Sequence, residues 1–315
     1  MWGRWCFDNA APVVFFVCFF VPFVMNPAKT ITNGRTAVMN QGSTQATKAL
    51  NDAAVVLVGC GRLGSAIVEG WLATGAVDPR RLIILSPSSK PIAEAAALRG
   101  ARLNPERSVL AEAGSVVLAV KPALWRAVAE GLSDAFDPGA VIVSVMAGVR
   151  DEAISEAFLG RSVARVMPTT GVATGQGVAA IYAANRNARE AAHRLFDPLA
   201  DTVDLDQEAL IDVATAVAGS GPAYVHAFTR ALAEAGVAQG LDAESALRLA
   251  RGAVRSAASA DPATSLGDLI ARVASPGGTT EAGLKALADG RALDASVEAA
   301  VAAALARARQ LSAGS

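Results

Sequence analysis

Ala53-Ala54-Val55-Val56-Leu57-Val58 runs straight into Gly59-Cys60-Gly61-Arg62-Leu63-Gly64, and then into Ser65-Ala66-Ile67-Val68-Glu69-Gly70-Trp71-Leu72. The first segment is apolar and valine-rich, the pattern of a short buried strand. The last sets Ala66, Ile67, Gly70, Trp71 and Leu72 on one face at helical spacing. Between them stands G-x-G-x-x-G, so strand, loop and helix follow in the order of a dinucleotide site. Gly59 allows the tight turn, Gly61 lets backbone approach a pyrophosphate, and Gly64 lets the helix pack closely on the strand. Cys60 fills a small variable position. The same letters occur in chance turns; the strand before and the helix after raise this loop above them.

The next strand is Leu82–Leu85, followed by Ser86-Pro87-Ser88-Ser89-Lys90. A site for NAD places Asp or Glu about 20 residues beyond the glycines, on the ribose 2′-hydroxyl. Residues 86–90 contain no acid. Hydroxyls and a lysine suit a 2′-phosphate, so the expected cofactor is NADPH, with NADH the weaker alternative. Further apolar runs at 115–120, 140–145, 163–166 and 178–182 alternate with helical stretches near 91–99, 123–132, 150–158 and 187–200. That alternation predicts parallel crossover units, with ligands outside the carboxyl ends of the strands. Lys121 and Gly148 are thereby placed towards the nicotinamide end. Lys121 could act in catalysis, but a backbone wall over Ala119–Pro122 is the simpler reading.

Beyond Leu210 no convincing strand is found. Helical patterns fill 209–218, 221–238, 243–260, 264–273, 279–289 and 292–312. Ser220 can cap the second of these, with Pro222 in its first turn. The Ala299–Ala306 stretch is nearly all alanine and valine, a bare surface that predicts packing against another subunit. Within this part lies Ala274-Ser275-Pro276-Gly277-Gly278-Thr279-Thr280-Glu281. Pro276 and the glycines suit a helix start, Thr279 or Thr280 can cap it, and Glu281 sits in the first turn. Unpaired amides and the positive dipole end make it a place for a carboxylate, with a threonine hydroxyl beside it. The chain therefore divides into a leader and polar linker (1–51), an α/β Rossmann-type dinucleotide-binding domain (52–208) and an all-α dimerisation and substrate domain (209–315).

Several strings stand in the order found in pyrroline-5-carboxylate reductases: Val58-Gly59-Cys60-Gly61-Arg62-Leu63, Ser86-Pro87, Ala119-Val120-Lys121-Pro122, Ala147-Gly148-Val149, Arg165-Val166-Met167-Pro168, Gly219-Ser220-Gly221-Pro222-Ala223-Tyr224 and Ser275-Pro276-Gly277-Gly278-Thr279-Thr280. The chain resembles that family from about residue 53 to its end. The last two strings are specific together; the glycine loop is shared with many dehydrogenases. The resemblance implies NAD(P)H reduction of 1-pyrroline-5-carboxylate to L-proline, without a metal, by a dimer often assembled into a decamer. It implies cofactor contacts at Val58, Gly59, Cys60, Gly61, Arg62, Leu63 and Gly64, at Ser86, at Ala119, Val120, Lys121 and Pro122, and at Val145, Met146 and Ala147. It implies substrate contacts at Glu208, Gly277, Gly278, Thr279 and Thr280, with Thr280 on the ring nitrogen as the catalytic position.

The chain departs from the family pattern at three places. Thr169 and Gly171 stand where the family has asparagine and proline, Ala218 replaces a serine, and an asparagine expected ahead of the third strand falls near Glu106 or Arg107. The first change bears on the cofactor-facing loop.

The substrate so implied is a cyclic imine that needs alignment more than acid–base machinery. His193 and His226 are read as helix residues, His226 as a partly buried or interface side chain. Cysteines at 6, 18 and 60 lack framework spacing, which suits a reducing compartment. Val13–Val24 is apolar but short for a membrane span, and no small-x-small cleavage site follows it. The 30–52 segment reads as polar linker, and Met39 would make a natural start. A cytoplasmic protein is expected, with a membrane anchor the minority reading. The net charge of −1 offers no reason for nucleic-acid binding. Two rivals remain. A β-hydroxyacid dehydrogenase would need a lysine in the helical part, where Lys285 stands alone. A non-catalytic NADPH-binding homologue is the other.

Overall fold

Valine and isoleucine runs with both faces apolar can only be buried in the middle of a layered structure. In the computed structural model, which describes residues 53–313, they form the centre of one sheet. The strands are β1 (Ala54–Val58), β2 (Leu82–Leu85), β3 (Arg102–Leu103), β4 (Ala113–Leu118), β5 (Val141–Ser144), β6 (Val163–Pro168), β7 (Gly177–Ala183) and β8 (Ala200–Asp204). Their order across the sheet is β3-β2-β1-β4-β5-β6-β7-β8. The expectations placed on the leader, including the start at Met39, lie outside the described residues.

Successive residues of β1 point to opposite sides, and each side has its own helices. Leu57 joins a cluster with Ile67 and Trp71 of helix α1 (Arg62–Thr74), Ala93 and Ala96 of α2 (Pro91–Leu98), and Leu195 and Phe196 of α5 (Arg186–Phe196). Val56 and Val58 face Trp125 of α3 (Trp125–Leu132) and Ile154 of α4 (Asp151–Ala157). Trp71 is fully buried, and its indole Nε1 donates to the Leu195 carbonyl at 2.9 Å, tying α1 to α5.

Three features differ from the sequence reading. β6 and β7 are antiparallel, not a parallel crossover pair. Only residues 169–176 join them, and a parallel return needs a dozen residues or more. Helix α5 stops at Phe196, and the Ala200–Asp204 segment forms the edge strand β8 on β7. β3 is a two-residue edge strand that the run-based reading passed over. The residue 169–175 loop packs firmly on α1: Val172 is fully buried, and a Cβ on Gly171 would lie 2.8 Å from the Gln176 carbonyl oxygen. Glycine at 171 therefore allows a close backbone crossing.

The remaining described residues are helical: α6 (Leu210–Ala214), a π turn (Thr215–Gly219), α7 (Gly221–Ala238), α8 (Ala243–Ala258), α9 (Leu266–Val273), α10 (Thr279–Ala288) and α11 (Ala292–Ala313). Ser220 precedes α7 but does not cap it; its hydroxyl reaches back to the Thr215 carbonyl at 3.4 Å. The core of this part is small. Ala233, Ala246 and Ala250 form one cluster between α7 and α8, and Ala308 of α11 is buried. Val225, Phe228, Leu232, Leu249, Leu266, Ile270, Val273 and Val297 are all exposed in the single chain. Such a surface is far more apolar than a lone helical unit tolerates.

Candidate cofactor and substrate site

The glycine loop has the geometry its sequence requires. Gly59 has φ +97°, a backbone region that side chains avoid, and its added Cβ would meet the Ala119 carbonyl oxygen at 2.7 Å. A Cβ on Gly64 would stand 2.2 Å from the Gly59 carbonyl oxygen, so α1 sits directly on the loop. Gly61, the N-cap of α1, differs: nothing lies within 4 Å of its Cβ position. Its open side is where a ligand phosphate can approach the first-turn amides of Arg62, Leu63 and Gly64. Cys60 is buried, and the Ser65 hydroxyl donates to its carbonyl at 3.2 Å. This open cradle fits a dinucleotide pyrophosphate.

Three backbone bonds bring the wall together at the carboxyl ends of β1, β2, β4 and β5. Gly59 N–H donates to the Leu85 carbonyl at 2.8 Å, Ala119 to Val58 at 2.8 Å, and Val145 to Leu118 at 3.1 Å. Ala119–Pro122 and Val145–Ala147 are thus set beside the glycine loop. Lys121 is exposed, and its carbonyl accepts from Leu124 N–H at 2.9 Å. Val145 and Met146 are buried.

Ser86 is held by a residue the sequence reading missed. Asn104, with φ +43°, accepts from Ser86 N–H and donates to the Ser86 carbonyl, both at 2.9 Å. Asn104 stands two residues before Glu106, and the 3-10 turn Arg107–Glu112 leads from there to β4. The Ser86 hydroxyl donates to the Ser88 carbonyl at 2.8 Å. Ser89 is bonded to the Glu94 carboxylate, so an acid does stand beside this loop, one helical turn further on.

In the second loop Gly277 has φ +71°, and Gly278 is the N-cap of α10 without a side-chain cap. Neither threonine caps the helix. Gly278 N–H donates to Ser275 carbonyl at 3.0 Å, closing the turn. The amides of Thr279, Thr280 and Glu281 find no partner among the described residues, nor do the two threonine hydroxyls. Helix α10 packs chiefly on α11 and on the Asp289–Arg291 turn between them, with no comparable packing on the sheet.

Glu208 lies between the two parts of the chain. Its Oε1 accepts from Arg165 Nη1 at 2.9 Å and from Asp151 N–H at 2.7 Å, and Arg150 lies 3.6 Å from its Oε2. Arg165 is 3 % exposed, and its Nε and Nη2 have no partner among the described residues. Burial, then the Glu208 carboxylate, raises the pKa of Asp151. Burial, then Asp151 and Glu208, raises that of Tyr182 on the neighbouring strand. Of the other histidine sites, His226 is exposed on α7. Lys285, in the last turn of α10, is exposed too.

Two family models match this arrangement in order. One described as "NADP oxidoreductase coenzyme F420-dependent" matches residues 54–148, and one described as "Pyrroline-5-carboxylate reductase dimerisation" matches residues 208–311. Sheet, glycine loop and helical part together define a two-domain oxidoreductase that takes a nicotinamide dinucleotide. The chain is 36% identical over 272 residues to the pyrroline-5-carboxylate reductase of Pseudomonas aeruginosa, covering 82% of this chain and 96% of that protein. The chain belongs to the pyrroline-5-carboxylate reductase family. The solved Coxiella burnetii pyrroline-5-carboxylate reductase aligns with a TM-score of 0.75 at 29% identity, covering 82% of this chain and 98% of that one. The Plasmodium falciparum pyrroline carboxylate reductase, solved with NADP bound, shares the fold at a TM-score of 0.69 and 23% identity, over 83% of this chain and 99% of its own.

Proposed function

We propose that the chain reduces 1-pyrroline-5-carboxylate to L-proline, the last step of proline biosynthesis, with NADPH as the preferred donor. The observation that carries the reading is the Ser275–Thr280 loop. It offers three unpartnered amides at a helix start, a glycine in the left-handed region and a free threonine hydroxyl, in a chain of this family. The bound dinucleotide supplies a hydride. Val58–Gly64 would hold its pyrophosphate, Ser86, Ser88 and Lys90 its 2′-phosphate, and 119–122 with 145–147 its nicotinamide end. The amides of the second loop hold the substrate carboxylate beside Gly277 and Gly278. The Thr280 hydroxyl fixes the ring nitrogen, and Thr279 closes the site. Glu208 reaches the substrate wall from its anchor on Arg165.

The helical part exposes a broad apolar face. That face, on residues matched by a dimerisation family model, supports a dimer, at least, in which the second loop meets a cofactor domain; a decamer is the larger form the family pattern suggests. Among the described residues no helix is long and apolar enough to cross a membrane. We place the enzyme in the cytoplasm, where NADPH is available.

Purified protein, NADPH and 1-pyrroline-5-carboxylate should give L-proline in step with the loss of nicotinamide absorbance. No turnover in a sample that binds NADPH would refute the function and favour the non-catalytic homologue. Turnover of a β-hydroxyacid instead would favour the dehydrogenase reading, although the exposed Lys285 gives it little support.

A further inference from the structure

Glu281 does something its position alone does not require. A glutamate in the first turn of a helix ordinarily bonds the N-cap amide or a cation one turn on. The N-cap amide, of Gly278, is already used by Ser275. Lys285 lies at i+4, but among the described residues no ion pair joins it to Glu281. Its Oε2 instead accepts from the N–H of Gly277 at 2.6 Å. A carboxylate of the chain itself thus occupies an amide of the loop read above as the carboxylate site. The neighbouring amides of Thr279, Thr280 and Glu281 remain open.

We propose that Glu281 is an internal competitor: its carboxylate holds the Gly277 amide in the empty loop and must be displaced, or must share the site, when a small carboxylate binds. The inference rests on the function proposed above and assigns Glu281 to setting the affinity of that site. Two carboxylates on adjacent amides repel, and an exposed like charge a few ångströms away weakens binding by a modest factor. An ordinary cap would act oppositely, because its loss would loosen the loop and weaken binding.

The test uses Glu281→Gln and Glu281→Ala in the full chain. Glu281→Gln keeps an oxygen acceptor for the Gly277 amide and removes the charge. It should lower the KM for 1-pyrroline-5-carboxylate and tighten L-proline by about three- to tenfold, with kcat changed less than twofold. The gain should shrink at high salt. Glu281→Ala should tighten both ligands as well if its melting temperature is unchanged. If that variant is unstable, Glu281→Gln alone decides. An unchanged or raised KM in Glu281→Gln overturns the proposal. Calorimetric binding of L-proline gives the same comparison without turnover. A chain that bound proline but failed to reduce the imine would refute the function, while this comparison would still decide the role of Glu281.

Discussion

Gly61 and Gly64 belong to one motif, yet the structure assigns them different duties, and alanine separates the two. At Gly64 the new methyl would stand 2.2 Å from the Gly59 carbonyl oxygen, backbone on backbone, so helix or loop must move by an ångström or more. Overpacking of that kind costs about 1–3 kcal/mol. For a chain of this size each kcal/mol lowers the melting temperature by about 2–4 °C, so Gly64→Ala should melt several degrees early. Gly61 has φ −76° and ψ −160°, open to any residue, and nothing lies within 4 Å of its Cβ position. There Gly→Ala restricts the unfolded chain and should stabilise by about 0.4–1 kcal/mol. The same methyl would fill the approach of a phosphate to the first-turn amides. Losing one hydrogen bond to a charged group costs about 1.5–3 kcal/mol, or roughly ten- to a hundredfold in NADPH affinity. Thermal melts and fluorescence titration with NADPH measure both quantities. Gly61→Ala with wild-type cofactor affinity would show that the pyrophosphate does not sit on this loop.

Thr280→Ala should melt like the parent chain, because its hydroxyl has no partner among the described residues, yet lose about ten- to a hundredfold in kcat/KM; near-normal kinetics would remove the threonine from the site. NADPH should exceed NADH in kcat/KM, and Glu94→Gln, by removing the acid bonded to Ser89, should widen the difference; a preference for NADH in both would refute the reading of residues 86–90. His193 bonds Asp197 at 2.8 Å and faces Asp204 at 3.3 Å, with Arg189 also 3.8 Å from Asp204. Burial alone would depress its pKa, but the two carboxylates outweigh it and the net shift is upward. The clasp between α5 and β8 therefore stabilises fully below the ordinary histidine pKa and fades as pH rises through the raised one. His193→Gln should lower the melting temperature more near about pH 5.5 than near about pH 9; an equal loss at both would mean that the charge contributes nothing.

Much of the cofactor side was legible in the sequence because its demands are local. A left-handed glycine at 59 and a close approach at 64 are conditions on a few adjacent residues that only glycine meets, and Gly61 between them leaves the helix start open. The same holds for Gly277 and the free amides after it. The central strands were legible because burial on both faces forces continuous apolar runs. β3 and β8 were not, since a two-residue edge strand and the exposed Ala200–Asp204 carry no such run. The direction of β7 was set by a connection too short to cross over.

What tertiary structure alone decided is which distant polar groups meet. Nothing adjacent to Asn104 marks it as the residue that holds Ser86, and nothing near Glu208 announces Arg165. Their spacings follow from strand order, from a 3-10 turn, and from where the chain leaves the sheet. Sequence determined that two glycine-rich helix starts exist, because each is built by its own backbone. The place of the second loop depends on how α10 packs, and α10 packs chiefly on α11. A helix whose apolar contacts are only partly met within its chain takes its place from whichever surface covers the rest, and that surface is written in no single stretch of residues.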